Sequence, residues 1–495
     1  MAAALAAAPL FAGEPPFCIG GTALNASTGE PLRRAAVTIP QAAALTDAAG
    51  AFRFCGLAAG EYYVNAEKPG FVDQDTNVMV GPSRDDVVLR LQPMAVIRGR
   101  ATDAAGEPVE HALIQVLSRE VAEGRAKVRV ETSVSTDDRG VYRTPGIAPG
   151  RYYVRAAGLD TAPDPDAPEA FAPVYYGGGA AFESASPVTL EPGHDLQADF
   201  SLNPQPAYRI RGTMGGCLPG NPAKIELLAA GQEPGVFPIS VDSASGAFQV
   251  DGVAPGSYVL RAAQEVGDER LRGEVPIQIK GSVDGVRVRL SGAVPLRGVV
   301  RTATDDNAAA APPGCAIKLS PAESWDSGVW ETATAADGEF RIEGVLPGRY
   351  HLTMDCAAGY VASARMGDSD LLAKNEFWIP PGNAPLSIEA IVAQDGGTID
   401  VTASSPIGSG LAWVALVPAS GNQLNTRIAP FSGKFTLSGI APGDYQAYAW
   451  TGSPEAFAYA NPDARQAWAG RAVSVHVEKH DRQKIEVPVA AGETP

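Results

Sequence analysis

Residues 50–62 read Gly50-Ala51-Phe52-Arg53-Phe54-Cys55-Gly56-Leu57-Ala58-Ala59-Gly60-Glu61-Tyr62. Phe52 and Phe54 are two apart, so on an extended chain they share one face, which is expected to be the core face. Gly50 suits a turn needing φ > 0, which a residue without Cβ reaches freely. The segment from Gly56 to Gly60 suits a compact turn. The chain then re-enters a strand at Tyr62, whose ring should bury while its hydroxyl finds a backbone partner, as in the tyrosine corner of sandwich folds.

The same spacing, Gly-x-(Phe/Tyr)-x-x-x-Gly-x-x-x-Gly-x-Tyr, returns four times. The second copy is Gly140, Tyr142, Gly146, Gly150 and Tyr152, and the third is Gly246, Phe248, Gly252, Gly256 and Tyr258. The fourth is Gly338, Phe340, Gly344, Gly348 and Tyr350, and the fifth is Gly433, Phe435, Gly439, Gly443 and Tyr445. The leading glycines are 90, 106, 92 and 95 residues apart, which is a repeat and not a chance motif. The flanks recur more loosely. A unit opens with a Gly-containing strand such as Gly99-Arg100-Ala101-Thr102-Asp103, turns near Gly106-Glu107-Pro108, and continues with alternating apolars at Ala112, Ile114 and Val116. It closes with a strand such as Val87-Leu89-Leu91 or Val286-Val288-Leu290. About seven short strands per unit make a Greek-key sandwich of Ig-like size.

The predicted fold is therefore all-β: five tandem Greek-key, Ig-like or transthyretin-like β-sandwich domains in an extended array. The expected division is 14–93, 94–205 with an insertion at 158–187, 206–293, 294–394 and 395–495. Residues 1–13 read as a signal-peptide remnant, apolar and small but without a basic leader. The joints Gln92-Pro93-Met94, Asn203-Pro204-Gln205-Pro206 and Gly292-Ala293-Val294 are short, which favours extension. Units of about 30 Å placed in line would form a rod on the order of 150 Å.

Composition fits. The 495 residues are too many for one core. Hydrophobic residues at 45% against 19% charged allow burial, and 54 Gly with 41 Pro favour turns over long helices. The net charge of −17 repels nucleic acid phosphates and anionic lipid head groups, and nucleic acid is not expected as a partner. After the N-terminus no apolar run reaches the roughly 18 residues of a transmembrane segment.

The pattern Gly-x-Pro-Leu-x-x-Ala-x-Val (Gly29 to Val37), then Thr-Asp-x-x-Gly-x-Phe-x-Phe (Thr46 to Phe54) and Gly-Leu-x-x-Gly-x-Tyr, resembles the carboxypeptidase regulatory-like domain. The resemblance implies a transthyretin-like, carbohydrate-binding-like sandwich, of the kind found in tandem in large exported bacterial proteins. It speaks for fold far more than for function, since such modules serve as spacers, adhesive units or accessory domains. A related sandwich crosslinks a Lys of its opening strand to an Asn of its closing strand. The opening strands here, 19–24, 98–103, 209–214, 297–302 and 398–402, contain no Lys, so that crosslink is not expected.

No G-x-S-x-G, S-x-x-K, P-loop or H-E-x-x-H pattern occurs, so no catalytic residue, metal or cofactor is assigned. His476 and His480 are four apart, but Val473–Val477 alternates like a strand, which separates them. Of five cysteines, Cys315 and Cys356 share the inward parity of their strands, and Cys18 and Cys55 flank the opening and hairpin strands of the first unit. Each pair is either a disulfide or two buried thiols, and export favours the disulfides. Cys217 stands alone in the third unit. Candidate sugar-stacking aromatics are Trp325 and Trp330, then Tyr175 and Tyr176, with Trp378, Trp450, Tyr459 and Trp468 behind them. Packing over a loop is the commoner fate of such rings. Asp160, Asp164, Asp166 and Glu169, and Asp368 with Asp370, read as solvated loops because no calcium-loop spacing is present.

The expectation is a non-enzymatic protein, exported to the periplasm, cell surface or medium. Its role would be structural, adhesive or in assembly, displaying or scaffolding and able to polymerise through sheet edges. Its partner would be a protein or glycan at the cell surface, or copies of itself. The alternative is a carbohydrate-binding protein using exposed aromatics. A third reading is an accessory array for a separate peptidase or transporter.

Overall fold

The computed structural model describes residues 17–158, 169–178, 182, 185–229, 234–235, 237, 239–303, 314–322, 328–382, 386–404, 412–431 and 433–492. The expected signal remnant, Trp325 and much of the insertion 158–187 lie outside these residues.

The first repeat shows the plan. Its opening strand Phe17–Asn25 lies between the hairpin strand Ala51–Leu57, antiparallel, and the closing strand Arg84–Leu91, parallel. The second sheet runs Ala42–Leu45, Ala36–Ile39, Gly60–Glu67, Gln74–Val80. Alternation turns Phe52 and Phe54 inward from one sheet and Tyr62, Val64 and Ala66 from the other, onto Ile19, Val37 and Leu89. The fold is the β-sandwich anticipated for the repeat. Parallel pairing of opening and closing strands recurs in all later repeats. Each copy of the motif sits in its own cluster of buried side chains.

Two local rules explain the recurring letters. The opening-strand glycines Gly21, Gly99, Gly212 and Gly298 stand directly opposite Phe52, Tyr142, Phe248 and Phe340. A Cβ at Gly298 would lie 2.2 Å from Phe340 Cζ, and one at Gly21 would lie 1.9 Å from the Val87 carbonyl oxygen. Glycine is required there by close approach. In the fifth repeat Val401 takes that place opposite Phe435. Phe435 is only partly buried and stacks on Phe431 instead, with centroids 5.7 Å apart. The Thr-Asp pair closes the hairpin turn. Buried Thr46 accepts from Ala35 N and donates to the Leu32 carbonyl, while Asp47 accepts from Ala49 N and Ala51 N. Thr136 and Asp137 do the same in the second repeat.

The fifth repeat departs from the plan. Its closing strand Arg482–Ala491 pairs with both the opening strand Gly397–Ser404 and Gly443–Thr451, so the two layers join into one curled sheet. A second buried cluster, with Tyr448, Trp450, Phe457 and Trp468, lies on its other side.

The joints are tied. Met94 N donates to the Gly70 carbonyl between the first two repeats, and Pro204–Pro206 is itself a strand, paired with Glu169–Phe171. Between the third and fourth repeats, Glu274 lies 3.3 Å from Arg261 and 3.6 Å from Arg349. Between the fourth and fifth, Val361 and Asn425 exchange two hydrogen bonds, and Tyr360 donates to Asp395.

The units do not lie in a line touching only their neighbours, and this corrects the expected extended rod. The hairpin of Leu113–Ala122 and Arg125–Ser135 has strands of 10 and 11 residues, longer than its own core needs. Its inner end covers the second core. Its tip is carried over to the fourth and fifth repeats.

Candidate functional site

The five motif tyrosines behave alike. Tyr62, Tyr152, Tyr258, Tyr350 and Tyr445 each donate to the carbonyl four residues earlier, at 3.2, 2.9, 3.0, 2.8 and 2.8 Å. Cys18 and Cys55 face each other in register and are bonded, as are Cys315 and Cys356. Cys217 is a free thiol whose Sγ donates to the Met214 carbonyl at 3.4 Å.

Among the described residues, the candidate aromatics Tyr175, Tyr176 and Trp330 do not form a binding face. Tyr175 is 2% exposed and edge-on to Phe182. Tyr176 donates to the Gln197 carbonyl and lies edge-on to Phe200. Trp330 is half-buried, edge-on to Tyr350 at 5.6 Å. A pyranose needs an open ring face, so these three are corrected to packing residues. Trp450 and Trp468 are core, the latter stacked on Phe457 at 4.2 Å. Trp378 is 47% exposed on the edge strand Glu376–Ile379. His476 pairs with Asp444 at 2.7 Å on the surface, and His480 sits in the following turn at φ 57°. Among the described residues no three His, Cys, Asp or Glu side chains converge.

At the hairpin tip, described residues of distant repeats meet closely. Glu123 and Gly124 have φ of 53° and 72°, the paired left-handed values of a tight hairpin turn. Gly124 accepts a hydrogen bond from Ala460 N, and Ala126 N donates to Asn461 Oδ1 at 2.9 Å. Arg125 donates to Gln423. On the other side Lys318 Nζ is 2.7 Å from Glu123, and Lys127 Nζ reaches the Pro321 carbonyl at 3.4 Å. Three repeats thus meet on one turn.

Between the tip and the fourth repeat lies a cavity of about 150 Å³, lined by Glu123, Arg125, Lys127, Ser320, Val329 and His351 among others. Burial pulls the Arg125 guanidinium and the Lys127 ammonium below their ordinary values. Neither forms an ion pair with a described carboxylate. Burial pushes the Glu123 carboxyl up, but Lys318, the Ser320 hydroxyl and the Arg125 charge together more than offset this and hold it below the usual carboxylate range. Burial and the Arg125 charge lower His351, against a 2.7 Å hydrogen bond that its Nδ1 donates to the Asn375 carbonyl. Ser320 is 6% exposed; its Oγ makes no hydrogen bond of good geometry, and its hydroxyl beside Glu123 helps to hold that carboxyl down.

Residues 19–92 and 96–203 match the family described as carboxypeptidase regulatory-like domain. The two matched stretches coincide with the first two repeats. The second match includes the long hairpin, while the later repeats share the motif. Among solved structures, the shaft pilin SpaA of Lactobacillus rhamnosus GG aligns at 13% identity over 39% of this chain and 98% of its own, with a TM-score of 0.21. The minor pilin of Streptococcus agalactiae aligns at 13% identity over 38% and 97%, with a TM-score of 0.22. The TIE protein of Bacillus anthracis aligns at 10% identity over 87% and 72%, with a TM-score of 0.17. No curated protein matches the chain in sequence.

Sequence reasoning missed the junction residues of the second repeat, Glu123, Gly124, Arg125 and Lys127. The one signal on offer was the unusual length of the alternating run around them. Tyr459 was expected only as a candidate sugar-stacking ring, not as the surface on which the hairpin turn rests.

Proposed function

We propose that the chain is a non-catalytic, exported structural protein, acting in display or assembly at the cell envelope or outside it. It would be built as five sandwich units divided near residues 93, 205, 293 and 394. The observation that carries this reading is how fully the recurring side chains are used internally: the glycines admit aromatic rings, the rings fill cores, and all five tyrosine hydroxyls bind backbone. None of them is left for substrate. Two cross-strand disulfides support an oxidising compartment. The tied joints and the hairpin contact support a stiff body more than a flexible tether. Light scattering and negative-stain microscopy over a concentration series test it. Discrete stiff particles or filaments, with no glycan bound on an array, are expected. Glycan binding abolished by Trp378→Ala or Trp325→Ala would replace this reading with the carbohydrate-binding one.

A further inference from the structure

The cavity under the hairpin tip has a composition that the structural role does not require. Two cations, Arg125 and Lys127, two residues apart on one strand, line it, and neither has a described carboxylate as ion-pair partner. The one acid on its wall, Glu123, is neutralised by Lys318 at 2.7 Å. A buried hydroxyl, Ser320 Oγ, lines the same cavity without a hydrogen bond of good geometry. Ser320 stands directly opposite His351 in the sheet register, so hydroxyl and imidazole present side by side. Partly desolvated cations and an unsatisfied buried donor both carry a cost. A small anion removes both costs at once: its charge answers Arg125 and Lys127, and its oxygens accept from the hydroxyl. The volume of about 150 Å³ admits a tetrahedral oxyanion together with a few waters.

We propose that this cavity is a binding site for a tetrahedral oxyanion, a phosphate or sulfate group, which locks the second repeat onto the fourth. Lys127 supplies charge, Ser320 donates a hydrogen bond, and Arg125 holds the wall through Gln423 while contributing charge. His351 keeps Nδ1 on Asn375 and leaves Nε2 free to donate once the anion favours its protonated form. The ligand bridges repeats that are far apart in the chain, so binding stabilises the closed arrangement by mass action. The site stands independently of the display role: an array without it would remain a stack of sandwiches.

Isothermal titration of the full chain with inorganic phosphate, inorganic sulfate and glycerol 3-phosphate, at constant ionic strength set by chloride, tests the proposal. One saturable site per chain is expected, with affinity reduced at least tenfold in Lys127→Met and in Ser320→Ala. Both changes lie at the cavity wall and leave the sandwich cores intact, and circular dichroism checks that the variants fold. Tighter binding of glycerol 3-phosphate than of phosphate would mark an ester as the source of the oxyanion, and the reverse a free ion. No saturable binding of any of the three, or binding unchanged in both folded variants, overturns the proposal.

Discussion

A Cβ built on Gly124 would stand 2.3 Å from Cζ of Tyr459, so the turn of the second repeat lies flat against a ring of the fifth. No side chain larger than hydrogen fits, and φ of 72° disfavours one in any case. Gly124→Val is therefore expected to undo the docking while leaving the sandwiches folded. Overpacking of this kind costs about 1–3 kcal/mol. Small-angle scattering reads the result. A thin rod of about 150 Å has a radius of gyration of about 43 Å, and a compact globule of this length about 23 Å. The wild type should fall below about 35 Å and the variant should rise. A wild-type value at the rod figure would contradict the junction.

The Tyr350 hydroxyl donates to the Leu346 carbonyl at 2.8 Å in a buried setting. Tyr350→Phe removes the donor and leaves the carbonyl unpaired, which costs about 1–3 kcal/mol. The melting transition of the fourth repeat should fall by several degrees with the fold unchanged. The less buried Tyr62, with a 3.2 Å bond, should lose less on the same change.

What was legible in the chain was whatever lies close along it. Gly50 to Tyr62 fixes turn, strand parity and tyrosine corner within 13 residues, and the five copies reinforce one another. Cys315 and Cys356 could be set facing because strand parity is a period-two property. The junction was not legible. Ala126 and Asn461 are 335 residues apart, and Glu123-Gly124 looks like any tight hairpin turn until a distant ring is placed against it. The aromatic candidates failed for a related reason. Tyr175 and Trp330 occupy loop-like sequence, but whether such a ring opens to solvent depends on what packs over it, here Phe182 and Tyr350.

The pairing of Gly298 with Phe340 predicts a sharp asymmetry between repeats. Gly298→Val forces a side chain against both the ring and the Ile388 carbonyl, 2.7 Å away. Backbone cannot yield as a side chain can, so the cost should be at the upper end of overpacking, about 3 kcal/mol or more. The fifth repeat already holds Val401 there, with Phe435 only partly buried and stacked on Phe431. Val401→Ala should then cost only the lost methyl groups, about 1–2 kcal/mol. Chemical denaturation of the two variants compares them directly.

His351 gives the junction a pH dependence. Burial, Arg125 and Lys127 depress it, while Glu376 and the Asn375 carbonyl oppose them, and the net direction is down. An unfolded histidine takes its proton near pH 6.5, and the folded one only at lower pH. The unfolded state thus binds more protons in that interval, and stability falls as pH drops below about 6.5. Thermal melts at pH 7.5 and 5.5 should show the loss, and His351→Gln should reduce it. An unchanged pH response in that variant would place the effect elsewhere.

The two disulfides differ in access, and this sets an order of reduction. Cys55 lies on the exposed face of its strand, whereas Cys315 is 1% exposed. Thiol exchange needs an attacking thiolate to reach sulfur, so Cys18–Cys55 should open first under mild reductant and Cys315–Cys356 only when the fourth repeat opens. Each bond closes a loop of about 40 residues, for which about 2–4 kcal/mol of stabilisation is expected. Alkylation followed by peptide mass spectrometry checks both parts. Under denaturing conditions without reductant only Cys217 should label. With graded reductant, Cys18 and Cys55 should label before Cys315 and Cys356. Simultaneous labelling of all four would mean that the fourth repeat opens as readily as a surface strand, which its fully enclosed core argues against.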